Sequence, residues 1–256
     1  MPMAASCIAA QMYTLRAFTK TPRDIAAACA RVRKIGYEAI QLSAFGPCPP
    51  AEVARILKDE GLVCCASHIS LEEMTGELPR IIDEHKLWDC CHTAMPWLPE
   101  IHRTPAGYEN LAKLMSAAAK TLAGAGISLS YHHHAFELER FGKTTGLEIL
   151  LSHADASVLA EFDTYWIQAG GGDAAAWIAR YAGRQKLIHL KDMVGGKNNQ
   201  SLMAEIGEGN LSWAAILAAA KKAGVEWYIV EQDECQRDPF ESLKISLENL
   251  RAMGLQ

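Results

Sequence analysis

No stretch of this chain holds the ~18 consecutive apolar residues that a membrane-spanning helix needs. The opening Met1-Pro-Met-Ala-Ala-Ser-Cys-Ile-Ala-Ala also lacks the basic n-region of a secretory leader. Basic charge is short as well: 25 lysines and arginines, scattered along the chain, stand against 30 aspartates and glutamates for a net charge of -5. A polyanion-binding surface shows as a basic field or stripe, so nucleic acid is not an expected partner, and neither is a membrane. CxxC pairs are missing although there are eight cysteines (Cys7, Cys29, Cys48, Cys64, Cys65, Cys90, Cys91, Cys235). Several of these lie in apolar strand-like runs, where a thiol behaves as a small hydrophobe, which predicts reduced thiols in a soluble cytoplasmic protein. No internal repeat and no low-complexity linker divides the 256 residues.

What is present is an alternation. Short apolar runs suited to buried strands occur at Cys7 to Gln11, Ala39 to Ser43, Val63 to Ser67, Asp89 to Thr93, Ile127 to Tyr131, Val158 to Phe162, Lys186 to Leu190 and Trp227 to Glu231. Helical spacing fills the gaps: Ile25, Cys29, Val32 and Ile35 follow the start signal Thr21-Pro22, and Leu111, Leu114, Met115 and Leu122 lie in an alanine-rich stretch. Gly36, Gly61, Gly126 and Gly224 stand where helices should stop. Strand, helix, strand in repetition forces parallel strands, and eight such units can close on themselves. The expected fold is α/β, a (β/α)8 TIM barrel spanning residues 1–256 as a single domain. The fourth run, with poor β-propensity, is the weakest of the eight.

In such a barrel the active site is built at the carboxyl-terminal ends of the strands. Here those ends carry ionisable groups where bulky apolar ones are usual. Three consecutive histidines close the fifth run, in Leu129-Ser-Tyr-His-His-His-Ala-Phe-Glu137. Side chains alternate along a strand, so His132 and His134 share one face and His133 takes the other. Asp163 follows the sixth run, His189 lies in the seventh and Glu231 ends the eighth, while Gln11, Gln41 and His68 stand at the ends of the first three. Buried carboxylates and imidazoles need a cation or each other, and a divalent metal is the simplest compensation. Each also has a plainer reading. Asp163 would cap a turn, Glu231 and His189 would be a buried pair, His68 a satisfied core histidine, and Lys191 with Asp192 a solvated loop pair. The glycine-rich segment from Val194 to Asn210 follows a ligand-bearing strand and is expected to close over a substrate. The loop Phe45-Gly-Pro-Cys-Pro-Pro50 lies on the same face.

Tyr131-His-His-His-Ala-Phe-Glu137, Glu161-Phe-Asp163 with Trp166, Ile188-His-Leu-Lys-Asp-Met193, Glu205-Ile-Gly-Glu-Gly-Asn210 and Val230-Glu-Gln-Asp233 together resemble the xylose isomerase-like TIM barrels of the sugar phosphate isomerase/epimerase group. That group also takes in inosose dehydratases, ketose 3-epimerases and endonuclease IV-type enzymes. The resemblance implies that Asp163, His189 and Glu231 bind a divalent metal, manganese first, with zinc, cobalt or magnesium as substitutes. In the epimerases the fourth ligand is a glutamate at the end of strand five. Here His132 stands in that place, so the fourth ligand is either His132 or Glu137 returning from the loop, with Glu137 expected because a third carboxylate suits a hard ion.

Such a centre suits proton abstraction beside a carbonyl, through an enediolate. The catalytic candidates are His132, His134, Glu231 and Lys191; His68, Trp166 and Gln11 are expected to touch the substrate, with Trp97 and Phe45 as further stacking surfaces. The expected activity is a metal-dependent sugar isomerase or epimerase acting on a small sugar or polyol, with homo-oligomers allowed. A lyase or dehydratase eliminating from a keto-sugar, 3-keto-glycoside or inosose is the rival. An endonuclease should carry a basic groove and more histidines, and a non-enzymatic binding barrel would make the ligand set a coincidence.

Overall fold

The computed structural model describes residues 6–256; Met1–Ala5, the head of the stretch read as lacking a leader, lie outside the described residues. Eight parallel strands close into a barrel: β1 Ile8–Gln11, β2 Ala39–Leu42, β3 Val63–His68, β4 His92–Met95, β5 Ser128–His132, β6 Val158–Asp163, β7 Leu187–Leu190 and β8 Trp227–Val230. They pair in sequence order, and β8 returns to β1 with Ile8 beside Tyr228. This is the (β/α)8 barrel that the alternation predicts.

The helices form where start and stop chemistry allow. Thr21 and Asp24 cap each other's backbone at the head of the helix Pro22–Ile35, proline takes its first turn, and Gly36 ends it at φ 118°, where a side chain would be strained. That helix buries Ile25, Ala28, Cys29 and Val32 against the barrel. The helix Pro105–Ala123 buries Leu111, Met115 and Leu122 but turns Leu114 outward, 37% exposed. Each fully buried Leu or Ile of this strand–helix layer contributes roughly 1.5–3 kcal/mol.

Inside the barrel the packing is different. A separate cluster of Ala9, Ala39, Cys65, Ala66, Leu187 and Ile229 plugs it with mostly small side chains. The inward positions nearer the mouth are polar and still buried: Gln11, Gln41, Ser130, Glu161 and His189.

Three departures from the sequence reading have local causes. The fourth strand runs His92–Met95, later than expected, because Asp89 sits at φ 53° and Cys90 N donates to His85 O, so these residues finish a helix. The segment after β7 is not a loose loop; Asp192–Gly195 and Ser201–Ala204 form an antiparallel hairpin. Lys191 and Asp192 are fully buried rather than solvated. All eight cysteines are free, and among the described residues no helix is long and apolar enough to cross a membrane.

Candidate active site

Strand register assembles the site. In β5 and β6, His132 stands beside Glu161; in β6 and β7, Asp163 stands beside His189. Glu161 and Asp163 are two apart and therefore point the same way, into the barrel. Glu231 follows Val230 at the end of β8, two residues beyond Ile229, which pairs with His189. One ligand atom from each of His132, Asp163, His189 and Glu231 lies within 4.8 Å of the others, all four residues buried.

The hydrogen bonds run as a chain across the barrel. Gln11 Nε2 donates to Gln41 Oε1 at 2.8 Å, and Gln41 Nε2 donates to Glu161 Oε1 at 2.8 Å. His189 bridges Gln41 Oε1 at 2.6 Å through Nε2 and Glu231 Oε2 at 2.7 Å through Nδ1. Burial alone would lower the His189 pKa, but Glu161 and Glu231 outweigh it and hold the ring up to about 10. Glu161 also meets His68 Nε2 at 3.0 Å. Burial works against its ionised form, yet His189 and His68 keep its pKa well below the usual carboxylate range. Burial, then Lys191 and His189, act on Glu231 in the same manner, and it too stays ionised. Asp163 is different: burial prevails over Lys191 and His189 and raises it to about 6. His132 and His134 are neutral, since burial and neighbouring positive groups drive both far down, His134 to about 2.

Asp163 caps the turn that follows it: Oδ1 accepts from Trp166 N at 2.9 Å at the head of the helix Thr164–Ala169, while Oδ2 faces the cluster beside the Lys191 ammonium at 3.0 Å. His132 Nδ1 is buried without a hydrogen-bond partner. An orphaned imidazole nitrogen inside a group of two imidazoles and two carboxylates fits a bound divalent ion, which would satisfy it.

The expected fourth ligand is elsewhere. Glu137 is fully buried, but its Oε1 accepts from Tyr131 Oη at 2.6 Å and its Oε2 from His134 N at 2.7 Å, so the carboxylate is spent on closing the loop after β5. His132 takes the fourth place in the cluster. Gln11 is also corrected: it is buried beneath Gln41 and lines no part of the mouth. The segment 194–210 contributes no residue to the cavity wall, so it does not cover the mouth here.

The cavity at the mouth, about 560 Å³, has His68, His132, His134, Glu231 and Asp233 on its polar side and Tyr13, Trp97, Phe136 and Trp166 on its flat side. His134 lies parallel to Phe136 at 5.6 Å and has Trp97 edge-on at 5.1 Å. Trp166 and Trp97 thus stand where sequence reasoning puts them, whereas Phe45 lines an adjoining cavity with Arg80. Of the metal-like cluster only His132 and Glu231 reach the cavity wall. Lys191 Nζ lies behind that wall, 2.8 Å from Glu231 Oε2, 3.0 Å from Asp163 Oδ2 and 2.6 Å from Asp233 Oδ2. Sequence reasoning placed Gln41 at a strand end without giving it a role and missed Glu161 and Asp233 as partners at the site; the two-residue spacing of Glu161 and Asp163 was the available signal.

Comparison with known proteins follows the same line. Residues 29–253 match the family described as xylose isomerase-like TIM barrel. The chain is 27% identical over 164 residues to the rhizopine catabolism protein MocC of Rhizobium meliloti, covering 57% of this chain and 50% of that protein. It is 29% identical over 160 residues to an inosose dehydratase of Lacticaseibacillus casei, covering 55% and 52%. The chain thus spans about half the length of the curated relatives it matches. A sugar phosphate isomerase/epimerase structure from Parabacteroides distasonis superposes with a TM-score of 0.80 at 24% identity, covering 98% of this chain and 96% of that one, a likeness of fold.

Proposed function

Since the chain belongs to the xylose isomerase-like TIM barrel family, we propose that it is a divalent-metal-dependent enzyme that removes a proton beside the carbonyl of a keto-sugar or keto-polyol and expels an oxygen substituent from the next carbon. The observation that carries this reading is the asymmetry of the cavity wall: of the four clustered groups, one carboxylate, Glu231, and one imidazole, His132, face the substrate space. An epimerase that delivers a proton from either side needs two near-equivalent bases. Within the cluster, one carboxylate and one imidazole at the cavity wall suit loss of a proton at one carbon and protonation of a departing hydroxyl or alkoxide at its neighbour.

His132, Asp163, His189 and Glu231 would hold the metal; manganese is the ion the resemblance implies, and zinc or cobalt suit two imidazoles with two carboxylates equally, with magnesium a further substitute. When bound there, the ion would supply Lewis acidity at the substrate carbonyl, lowering the cost of the enediolate charge. Glu231 is the one carboxylate of the cluster that lines the cavity, which places it to accept the proton. His134 would serve as a hydrogen-bonding group whose ring is fixed by Phe136 and Trp97. Trp97 and Trp166 offer flat faces to a sugar ring.

The second reading is isomerisation or epimerisation through the same enediolate, supported by the likeness to the sugar phosphate isomerase/epimerase fold. Turnover in deuterated water with ketoses, inososes and 3-keto-glycosides separates the two. Elimination gives an unsaturated or dicarbonyl product with loss of water or aglycone. Solvent deuterium in an intact epimer or isomer overturns it. Elemental analysis should find about one divalent ion per chain. Full metal content in folded Glu231→Gln or His189→Ala protein would remove the centre.

A further inference from the structure

Three carboxylates, those of Asp163, Glu231 and Asp233, are gathered at the barrel mouth around the Lys191 ammonium. Lys191 has no exposed surface, and its Nζ is within 3.0 Å of Asp163 Oδ2, Glu231 Oε2 and Asp233 Oδ2. Its place is set by the chain: Lys191 is two residues past His189 and so turns to the same inner side, and Thr164 Oγ1 holds its backbone at 2.9 Å from N and 2.8 Å from O. The backbone is clamped, and only the long side chain is free to choose among partners.

Two of the three carboxylates on Nζ, Asp163 and Glu231, are also members of the four-residue cluster. The third, Asp233, is not, and its side chain is 23% exposed at the cavity edge. The Trp166 ring lies 5.7 Å from Nζ on another side. Buried carboxylates without a cation repel one another and resist burial, so the ammonium, on Asp163, Glu231 and Asp233, stabilises the cluster alongside the His189 ring that bonds Glu231 at 2.7 Å. Conversely, a cation and an ammonium drawn to the same two oxygens within a few ångströms repel strongly in a low-dielectric site.

We propose that Lys191 is the resident countercation of this centre. It keeps Asp163 and Glu231 in position before metal arrives, competes with the metal for them, and keeps Asp233 as its partner once the metal has entered. The inference rests on the metal-centre reading for its second half and on the carboxylate geometry alone for its first. Lys191 is accordingly a positioning residue that sets metal affinity, not a group that acts on the substrate.

The test uses manganese alone, without substrate. Lys191→Met should lower the Tm of chelator-treated protein by about 10 °C. Calorimetric titration with manganese should show affinity at least about tenfold higher than wild type, and manganese should raise the variant's Tm by more than it raises the wild type's. A merely structural lysine would cost stability without tightening metal. If Lys191→Met does not fold, the double variant Lys191→Met/Asp233→Asn removes the ammonium together with its exposed partner, and the affinity should still rise. Unchanged or weaker manganese binding in either variant overturns the competition, and an unchanged metal-free Tm in Lys191→Met overturns the countercation. Wild-type protein that takes no divalent ion would instead overturn the metal centre, leaving the countercation to be judged on the metal-free Tm.

Discussion

Glu137 is a buried acid whose work is structural, and that gives it a pH signature. Burial raises its pKa from 4.5 to about 7, only partly offset by the hydrogen bonds from Tyr131 and His134 N–H. The folded state therefore holds this proton more tightly than the unfolded chain. Its contribution to stability is full below 4.5 and is lost as the pH rises through about 7. The loss is on the order of 3 kcal/mol between those limits. Urea unfolding at pH 5 and pH 8 should show this slope in the wild type and a flatter one in Glu137→Gln; the same slope in both would mean that another group titrates. Side-chain alternation was enough to read His132 and His134 onto one face and to align Asp163, His189 and Glu231 at the strand ends. It was not enough to place Glu137, because the partner that captures it, Tyr131, points to the opposite side of β5 from His132. Gln11 misled for a related reason: a strand end is legible in sequence, but its depth below Gln41 is not.

Between β7 and the helix Trp213–Ala223 the chain turns on one carboxylate. Asp192 accepts from Met193 N at 2.8 Å, Gly207 N at 2.9 Å, Gly209 N at 3.1 Å, Leu211 N at 3.2 Å and Trp213 Nε1 at 2.6 Å. Gly209 is required by closeness, since a Cβ there would sit 2.3 Å from Asp192 Oδ1. The motif Glu205-Ile-Gly-Glu-Gly-Asn210 is thus a wrapping for Asp192, which holds the hairpin next to the strand that carries His189. Asp192→Ala leaves several buried N–H groups unpaired and should cost about 3–5 kcal/mol, with new protease cleavage between residues 195 and 210. Gly209→Ala should reproduce the cleavage pattern at smaller cost. Resistance equal to wild type in both would show that the hairpin is held by something else. At this scale the sequence was legible wherever period and punctuation agreed, as at Thr21-Pro22 and Gly36. It was not at Asp89, whose left-handed backbone ends a helix inside an apolar run, nor in the hairpin, whose pairing partners are separated by polar residues that read as loop.

Charge over the whole molecule bears on which ligands the proposed site would admit. The chain carries a net charge of -5, and the cavity wall presents Glu231 and Asp233 with no lysine or arginine among its described lining residues. The nearby cations are already committed. Lys191 lies behind the wall with three carboxylates, Arg80 in the adjoining cavity is paired with Glu73, Glu77 and Glu84, Arg103 stacks on Phe136 at 3.4 Å and donates to Leu98 O, and Arg16 stacks on Tyr13 at 4.4 Å and donates to Tyr13 O and Asp233 O. A phosphate placed away from the reacting carbons would meet aromatic faces and acidic side chains, with no lysine or arginine among the described lining residues to form the bidentate contact that phosphates favour. An uncharged sugar meets the same wall without that penalty, and its apolar face suits Trp97 and Trp166. We therefore expect free sugars to be preferred over their terminal phosphate esters by at least about a hundredfold in kcat/KM, because rejecting a charge in a site without a counter-charge discriminates more strongly than a missing methylene does. Quenching of tryptophan fluorescence by a ketose and by its phosphate ester reads the preference as binding, since two tryptophans line the cavity. Tighter binding of the ester would overturn the assignment and would require a basic residue to enter the mouth on ligand binding. Either outcome is independent of whether the bound sugar is then isomerised or cleaved, because both reactions would begin from the same ligand bound at the same wall.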